Sequence, residues 1–271
     1  AAAQLFYSED FEDGNAASRW TVSQAGGVNA ADFAFDYGLY GIPAAPNGTG
    51  TIGLKLEANL GPTAASSGIM AFPDGQSFST TTGSYTLLFD VWMDVQSTTG
   101  TTEFAIFGVG HTSTAAQAPT SSTPGVGPSD NGLDFSFTGE NGAGRDVRVY
   151  VAGAEQTGAD NTGGYARREI LFQQDGAQPP YFFAYTGADP SNQWFEVAVR
   201  VDGDQAEWSM NGQAWATTPV SVTDGNIMLG YMDVFTSVAG PDLFGVYDNV
   251  RVIASPAATT ELVWAGDGAT A

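Results

Sequence analysis

An all-β fold, an antiparallel two-sheet sandwich, is predicted by three features of this sequence. Apolar or alternating runs of about five to eight residues recur, each closed by a Gly, Pro, Asn, Asp or Ser turn. Helical periodicity is missing nearly everywhere. The chain has 271 residues, 42% hydrophobic and 12% aromatic, which supplies one large core without requiring a second domain.

The elements follow in order. Phe6 to Gly14 opens the chain, with a strand expected over Glu9-Asp10-Phe11-Glu12 and Trp20 shortly after. Thr86 to Val95 is a long aromatic strand, and Glu103 to Val109 is the next. Asp146 to Val151 alternates, which predicts one packed face and one wet face. Trp194 to Val201 alternates too, placing Phe195, Val197, Val199 and Val201 on one face and Trp194, Glu196, Ala198 and Arg200 on the other. Asp202-Gly203 and Asn211-Gly212 carry the residues that tight hairpin turns demand, so this stretch reads as a meander through Ala206–Met210. Ile227 to Met232 follows Asp224-Gly225, and Phe244 to Ile253, with Tyr247-Asp248-Asn249-Val250, is the closing strand. Two stretches break the rhythm: residues 111–132, small and Pro-containing, and the Gly-rich 153–164. Both read as loops. One domain is expected over 1–254, followed by a linker and strand-like tail over 255–271, the start of a further module or an assembly element.

Charge narrows the partners. Thirty carboxylates face seven arginines and the single Lys55, a formal charge of −22. Nucleic-acid phosphates and anionic membranes would be repelled, and no apolar run approaches the roughly 18 residues of a membrane span. Cysteine is absent, so neither disulfides nor thiol chemistry arises. The small polar composition and the Ala1-Ala2-Ala3-Gln4 start point to a secreted bacterial chain trimmed near a signal cleavage site.

The opening Phe-Tyr-Ser-Glu-Asp-Phe-Glu-Asp-Gly, the closing Gly-Val-Tyr-Asp-Asn-Val-Arg-Val, and the Trp194 to Gly212 hairpin resemble the concanavalin A-like jelly-roll superfamily, in particular its laminin-G-like and MAM-like extracellular modules. The resemblance implies a jelly roll whose first and last strands are neighbours. Asp10, Glu12 and Asp248 would then converge, and three carboxylates at one sheet edge repel unless a hard cation neutralises them. Calcium, which takes six to eight oxygens, is the candidate, and related modules carry a structural calcium in this region. Glu9, Asp13 and Asp233 are weaker ligand candidates.

Catalytic signatures are sparse. His111 is the only histidine, and there is no Gly-x-Ser-x-Gly elbow, so neither a Ser-His-Asp motif nor a histidine zinc site is announced. The acid strings expected of jelly-roll glycanases are missing, while Tyr165, Arg167 and Arg168 are the cluster a lyase would want. Tyr37, Tyr40, Tyr181, Tyr185 and Trp215 lie in or beside turn-rich segments where a ring could stack on sugar. The sequence therefore predicts a secreted, calcium-stabilised, non-catalytic module for glycan binding or adhesion. Its alternatives are a filament or surface-layer subunit that binds copies of itself, and a polysaccharide hydrolase or lyase.

Overall fold

The computed structural model describes residues 3–63, 65–81, 83–95, 103–139, 147–156, 191–218, 222, 224–236 and 243–255. The side chains of 213, 215 and 216 also lie outside the described residues. The rest form an antiparallel two-sheet jelly-roll sandwich. Its strands are β1 Leu5–Glu9, β2 Trp20–Ala25, β3 Ala30–Asp36, β4 Ile52–Glu57, β5 Ser67–Pro73, β6 Tyr85–Val95, β7 Glu103–His111, β8 Leu133–Thr138, β9 Val147–Val151, β10 Ala154–Glu155, β11 Trp194–Asp202, β12 Gln205–Met210, β13 Gln213–Thr218, β14 Asn226–Asp233 and β15 Leu243–Ala254. Sheet A runs β13-β12-β11-β6-β15-β4-β3, with β1 also on β15, and sheet B runs β10-β9-β8-β7-β14-β5-β2.

Alternation explains how the layers meet. Leu87, Phe89, Val91 and Met93 of β6 face Phe107, Phe135, Leu229 and Tyr231 of sheet B, and Phe195 to Val201 join them through every second residue of β11. Trp208 is the centrepiece, with rings of Phe107, Phe135 and Phe137 at 5.3, 5.8 and 6.0 Å. Burial of so many aromatic side chains is the dominant stabilising term here. The hairpin turns form where expected, with Gly203, Asn211 and Gly212 at φ of 62°, 47° and 76°. Only glycine and asparagine adopt that region at low cost.

Two expectations are corrected. The first strand ends at Glu9, not Glu12: Phe11 turns the chain at φ 61° because its ring is drawn into the core against Trp20 and Phe33, at 5.9 and 6.5 Å. The outer face of β9 is not wet, since Arg148 and Tyr150 are 2% and 0% exposed. The loop expected over 111–132 is a loop, lying between β7 and β8, and its residues 112–131 form an ordered flap on sheet B. Bridges Ala116↔Ser129, Thr120↔Val126 and Val126↔Ala154 hold it, and Pro128 packs on Gly68.

β15 positions the site. It lies along β6 for its whole length, but its other edge pairs β4 at Gly245–Tyr247 and β1 at Val250–Ile253. The change of partner falls at Asn249, where φ is 53° and the register with β6 slips between Asp248 and Arg251. A bulge bends its strand and re-aims side chains, and here it opens a gap between the end of β1 and the start of β4.

Candidate functional site

That gap is a cleft of about 520 Å³. Its walls come from the turn after β1 (Asp10, Glu12, Asp13), the loop before β4 (Asn47 to Gly50), Arg19, and Asn249 to Arg251 of β15. A non-glycine residue with positive φ stands on each side, Phe11 and Asn249. Such backbone persists only where the surroundings over-determine it. Phe11 is anchored in the core, and its strained turn swings Asp10 and Glu12 outward into the opening.

The loop before β4 needs its glycines. A Cβ on Gly48 would lie 2.2 Å from Asn249 Oδ1, and one on Gly50 would lie 1.8 Å from Glu12 Oε1. The backbone therefore runs hard against both walls and brings its peptide groups to the cleft.

Behind the opening lies a buried polar network. Asp248 and Asp90 are direct cross-strand neighbours, 2% and 0% exposed. Asp90 accepts from Asn47 N at 3.2 Å, Asn47 Nδ2 at 2.7 Å and Asn249 Nδ2 at 2.8 Å. Asp248 accepts from its neighbour's amide, Asn249 N, at 2.7 Å and from the Tyr37 hydroxyl at 2.8 Å. That hydroxyl in turn accepts from Ala45 N at 3.2 Å. Burial pushes the Asp248 carboxyl up to about 7, with the charges of Glu12 and Asp90 adding to the rise and the two hydrogen bonds opposing it. The Tyr37 phenol is also pushed up, chiefly by burial, and remains a donor.

Arg19 organises the acidic side. Its guanidinium donates to both Glu9 oxygens at 2.8–2.9 Å and to both Asp13 oxygens at 2.8 and 3.0 Å. These bonds hold the Asp13 carboxyl below its usual value. Glu12 accepts from Ile52 N at 2.9 Å, stapling the first turn to β4. Arg251 reaches Glu196 at 3.3 Å.

The three residues expected to share a cation are not gathered around one point. Asp10 and Glu12 line the cleft, whereas Asp248 lies beneath it with both oxygens already accepting hydrogen bonds. Among the described residues no group of three His, Cys, Asp or Glu is spaced to hold a metal ion. Neutral donors satisfy the buried Asp248, while Asp10 and Glu12 stand apart from it at the opening. Of the weaker ligand candidates, Glu9 and Asp13 are held by Arg19, and Asp233 accepts from Asn59 Nδ2 at 2.9 Å elsewhere on β14.

The aromatic candidates divide. Tyr37 is fully buried, contrary to the exposure expected of it, because its hydroxyl is the keystone of the network. Tyr40 is 64% exposed, its ring 4.7 Å from Phe35 and 6.4 Å from Phe244 on the outer face of sheet A. Lys55 Nζ lies 4.5 Å from the Phe244 ring centre. Tyr181, Tyr185 and the Trp215 side chain lie outside the described residues, as do Tyr165, Arg167 and Arg168. Sequence reasoning missed Asn47, Asp90 and Arg19. The only trace of Asp90 in the sequence is an acid in an otherwise apolar strand, Leu88-Phe89-Asp90-Val91-Trp92.

No protein-family model matches the chain, and no curated protein matches it in sequence. Several solved structures resemble it in strand arrangement. A carbohydrate-binding module, CBM66 from Bacillus subtilis, is 11% identical over 87% of this chain and 95% of that one, with a TM-score of 0.43. A Bacillus subtilis protein of unknown function with a galectin-like fold is 12% identical over 93% and 97%, at 0.46. The metal-free carbohydrate recognition domain of Emp46p is 11% identical over 93% and 98%, at 0.47.

Proposed function

We propose that this chain is an extracellular carbohydrate-binding module that takes a neutral glycan into the cleft beside Asn249. The observation that carries the reading is the make-up of that cleft. Its volume, about 520 Å³, suits a few sugar rings, and its walls carry carboxylate, amide and peptide groups with the guanidinium groups of Arg19 and Arg251. Such a lining exchanges hydrogen bonds with many hydroxyls and offers little to an apolar ligand. Phosphate and uronate are disfavoured, because Asp10 and Glu12 stand at the opening while Arg19 and Arg251 are engaged by carboxylates of their own. Part-buried hydrogen bonds from Asn47 to the buried Asp90 hold the loop over Asn47–Gly50 in place, so the cleft is preformed and binding orders little. Tyr40 offers an exposed ring elsewhere on sheet A.

Secretion belongs to this reading and rests on composition. So does a laminin-G-like or MAM-like grouping, which rests on the Asp10-Phe11-Glu12 and Tyr247-Asp248-Asn249 stretches. Among the described residues no helix is long and apolar enough to cross a membrane.

A glycan array followed by calorimetry on the best neutral oligosaccharide tests the proposal. Asn47→Ala, which removes the side-chain donor to Asp90 and leaves the loop tied to it by the backbone N–H alone, should weaken binding by about tenfold. Silence of the wild type across neutral glycans overturns the reading, and release of shorter sugars would convert it to a hydrolase. Calcium and chelator are run in parallel. A structural calcium would have to draw Asp10 and Glu12 onto Asp248 from where they stand, so equal affinity is expected in both.

A further inference from the structure

β1 borders a second recess, toward its other end. The walls are Phe6 of β1, Gln76 to Ser79 of the loop after β5, and Tyr85 at the start of β6. They enclose about 240 Å³, under half the volume of the cleft beside Asn249. An irregularity in the strand sets the first wall. The register of β1 on β15 slips between Leu5 and Tyr7, so Phe6 stands opposite no residue of β15 and is left 44% exposed. Tyr7 packs on the core instead, its ring 6.3 Å from Trp20 and 6.5 Å from Phe78. A bulge of this kind re-aims a side chain out of the alternation.

The loop opposite is pinned. Phe78 N donates to Gly225 O at 2.7 Å, and Gly225 N donates back to Phe78 O at 3.0 Å. The Phe78 ring lies 5.9 Å from that of Tyr85, so these two walls are fixed. The rim is polar and neutral. Gln76 spends one amide hydrogen on the carbonyl of Asp74 at 3.3 Å, and the Ser79 and Thr81 hydroxyls meet at 2.7 Å. Tyr85 is 1% exposed, and its hydroxyl has no hydrogen-bond partner among the described residues. A buried phenol usually finds one, so this wall keeps a donor for an incoming acceptor.

The six lining residues carry no charge, in a chain with thirty carboxylates. An ionic ligand finds no counter-charge there. A hydrocarbon would strand the amide of Gln76 and the hydroxyls of Ser77, Ser79 and Tyr85. A pyranose ring meets both conditions, because its C–H face covers an aromatic ring while its hydroxyls exchange hydrogen bonds with the amide and hydroxyls around it. We propose that this recess is a second sugar subsite, holding one neutral pyranose ring against Phe6 with Gln76, Ser77, Ser79 and the Tyr85 hydroxyl as its polar partners. The inference rests on the glycan-binding reading for its ligand class and adds a site separate from the cleft. β1 joins the two, since Ser8 and Glu9 line the cleft about 7–10 Å along the strand from Phe6.

Maltose, cellobiose, lactose and chitobiose, titrated one at a time into isotope-labelled protein and followed by backbone amide shifts, test it. At least one sugar should move two sets of amides, Asn47 to Gly50 at the cleft and Gln76 to Ser79 at the recess. Phe6→Ala should weaken the second set by about tenfold and Tyr85→Phe by about threefold, with the first set unchanged. Phe6→Trp keeps a stacking ring and should bind as the wild type does. Asn47→Ala should weaken the first set alone. Shifts confined to Asn47–Gly50 overturn the second subsite and leave the cleft reading standing. Shifts confined to Gln76–Ser79 uphold the subsite and overturn the cleft. Silence with all four sugars overturns both, and shifts at Gln76–Ser79 that ignore Phe6→Ala and Tyr85→Phe overturn the subsite.

Discussion

Each sheet buries carboxylate on its outer face, and the two sheets do so by opposite means. On sheet A, Asp90 and Asp248 sit side by side and are satisfied by Asn47, Asn249 and Tyr37, groups that do not change charge near neutral pH. On sheet B, Asp134 meets the imidazole of His111 at 2.9 Å. The neutral solution leaves room in front of it, since asparagine and tyrosine reach in from a loop that frames a cleft. The imidazole solution fills its space with a ring, Gly108, Gly132 and the flap. A buried acid is costly in either place. One arrangement yields a preformed recess, the other a fastening.

The largest expected effect separates the two by pH. The folded-state value of Asp248 is raised to about 7, against about 3.9 in an unfolded chain, so the folded protein binds a proton the unfolded chain lacks between those limits. Its contribution is full below about pH 4 and is lost as pH climbs to about 7, an upper limit of about 4 kcal/mol. Asp248→Asn should flatten that part of a urea-denaturation pH series. A wild-type slope that persists in the variant would place the titration elsewhere.

Glycine substitutions come next. Gly108→Ala drives a methyl against Asp134, His111 and the Leu133 carbonyl, none of which can retreat, and should cost about 3 kcal/mol. Gly50→Ala meets the Glu12 carboxylate, an exposed side chain that can swing away at the loss of its bond from Ile52 N, and should cost about 1 kcal/mol. Equal losses in paired melts would dissolve the contrast between a filled and an open site.

Tyr37→Phe removes one donor to Asp248 and one acceptor for Ala45, worth about 1–2 kcal/mol of stability, with the Asp248 titration moving to higher pH. The smallest effect belongs to Tyr40→Ala, which at an exposed site should change stability by less than about 0.5 kcal/mol. Its readout is glycan affinity. A loss there would extend the binding surface from the cleft across sheet A.

Much of this was legible in the chain. The alternation of Trp194 to Val201 announced its buried face residue by residue, and Asp202-Gly203 and Asn211-Gly212 announced its turns, because period and turn chemistry are local properties. The opening and closing acids do come to one corner of the molecule, where β1 pairs with β15. Their partners were hidden: Asn47 and Tyr37 come from a loop about 200 residues before Asp248, and no spacing rule links them. The pairing of His111 with Asp134 was hidden for the same reason. The loop of small residues over 111–132 is an ordered flap because its backbone meets β10, a contact no local pattern shows.

The sequence by itself determined the sandwich, the hairpins and the acidic character of the terminal turn, since these depend on composition and on neighbours a few residues apart. Tertiary structure alone decided that Asp248 sits beneath the cleft rather than in it. The deciding event is the change of partner along β15, where β4 gives way to β1 at the Asn249 bulge. A strand-pairing switch is a long-range choice made by the whole sheet, and it turns a row of carboxylates that reads as a cation site into a cleft backed by hydrogen bonds.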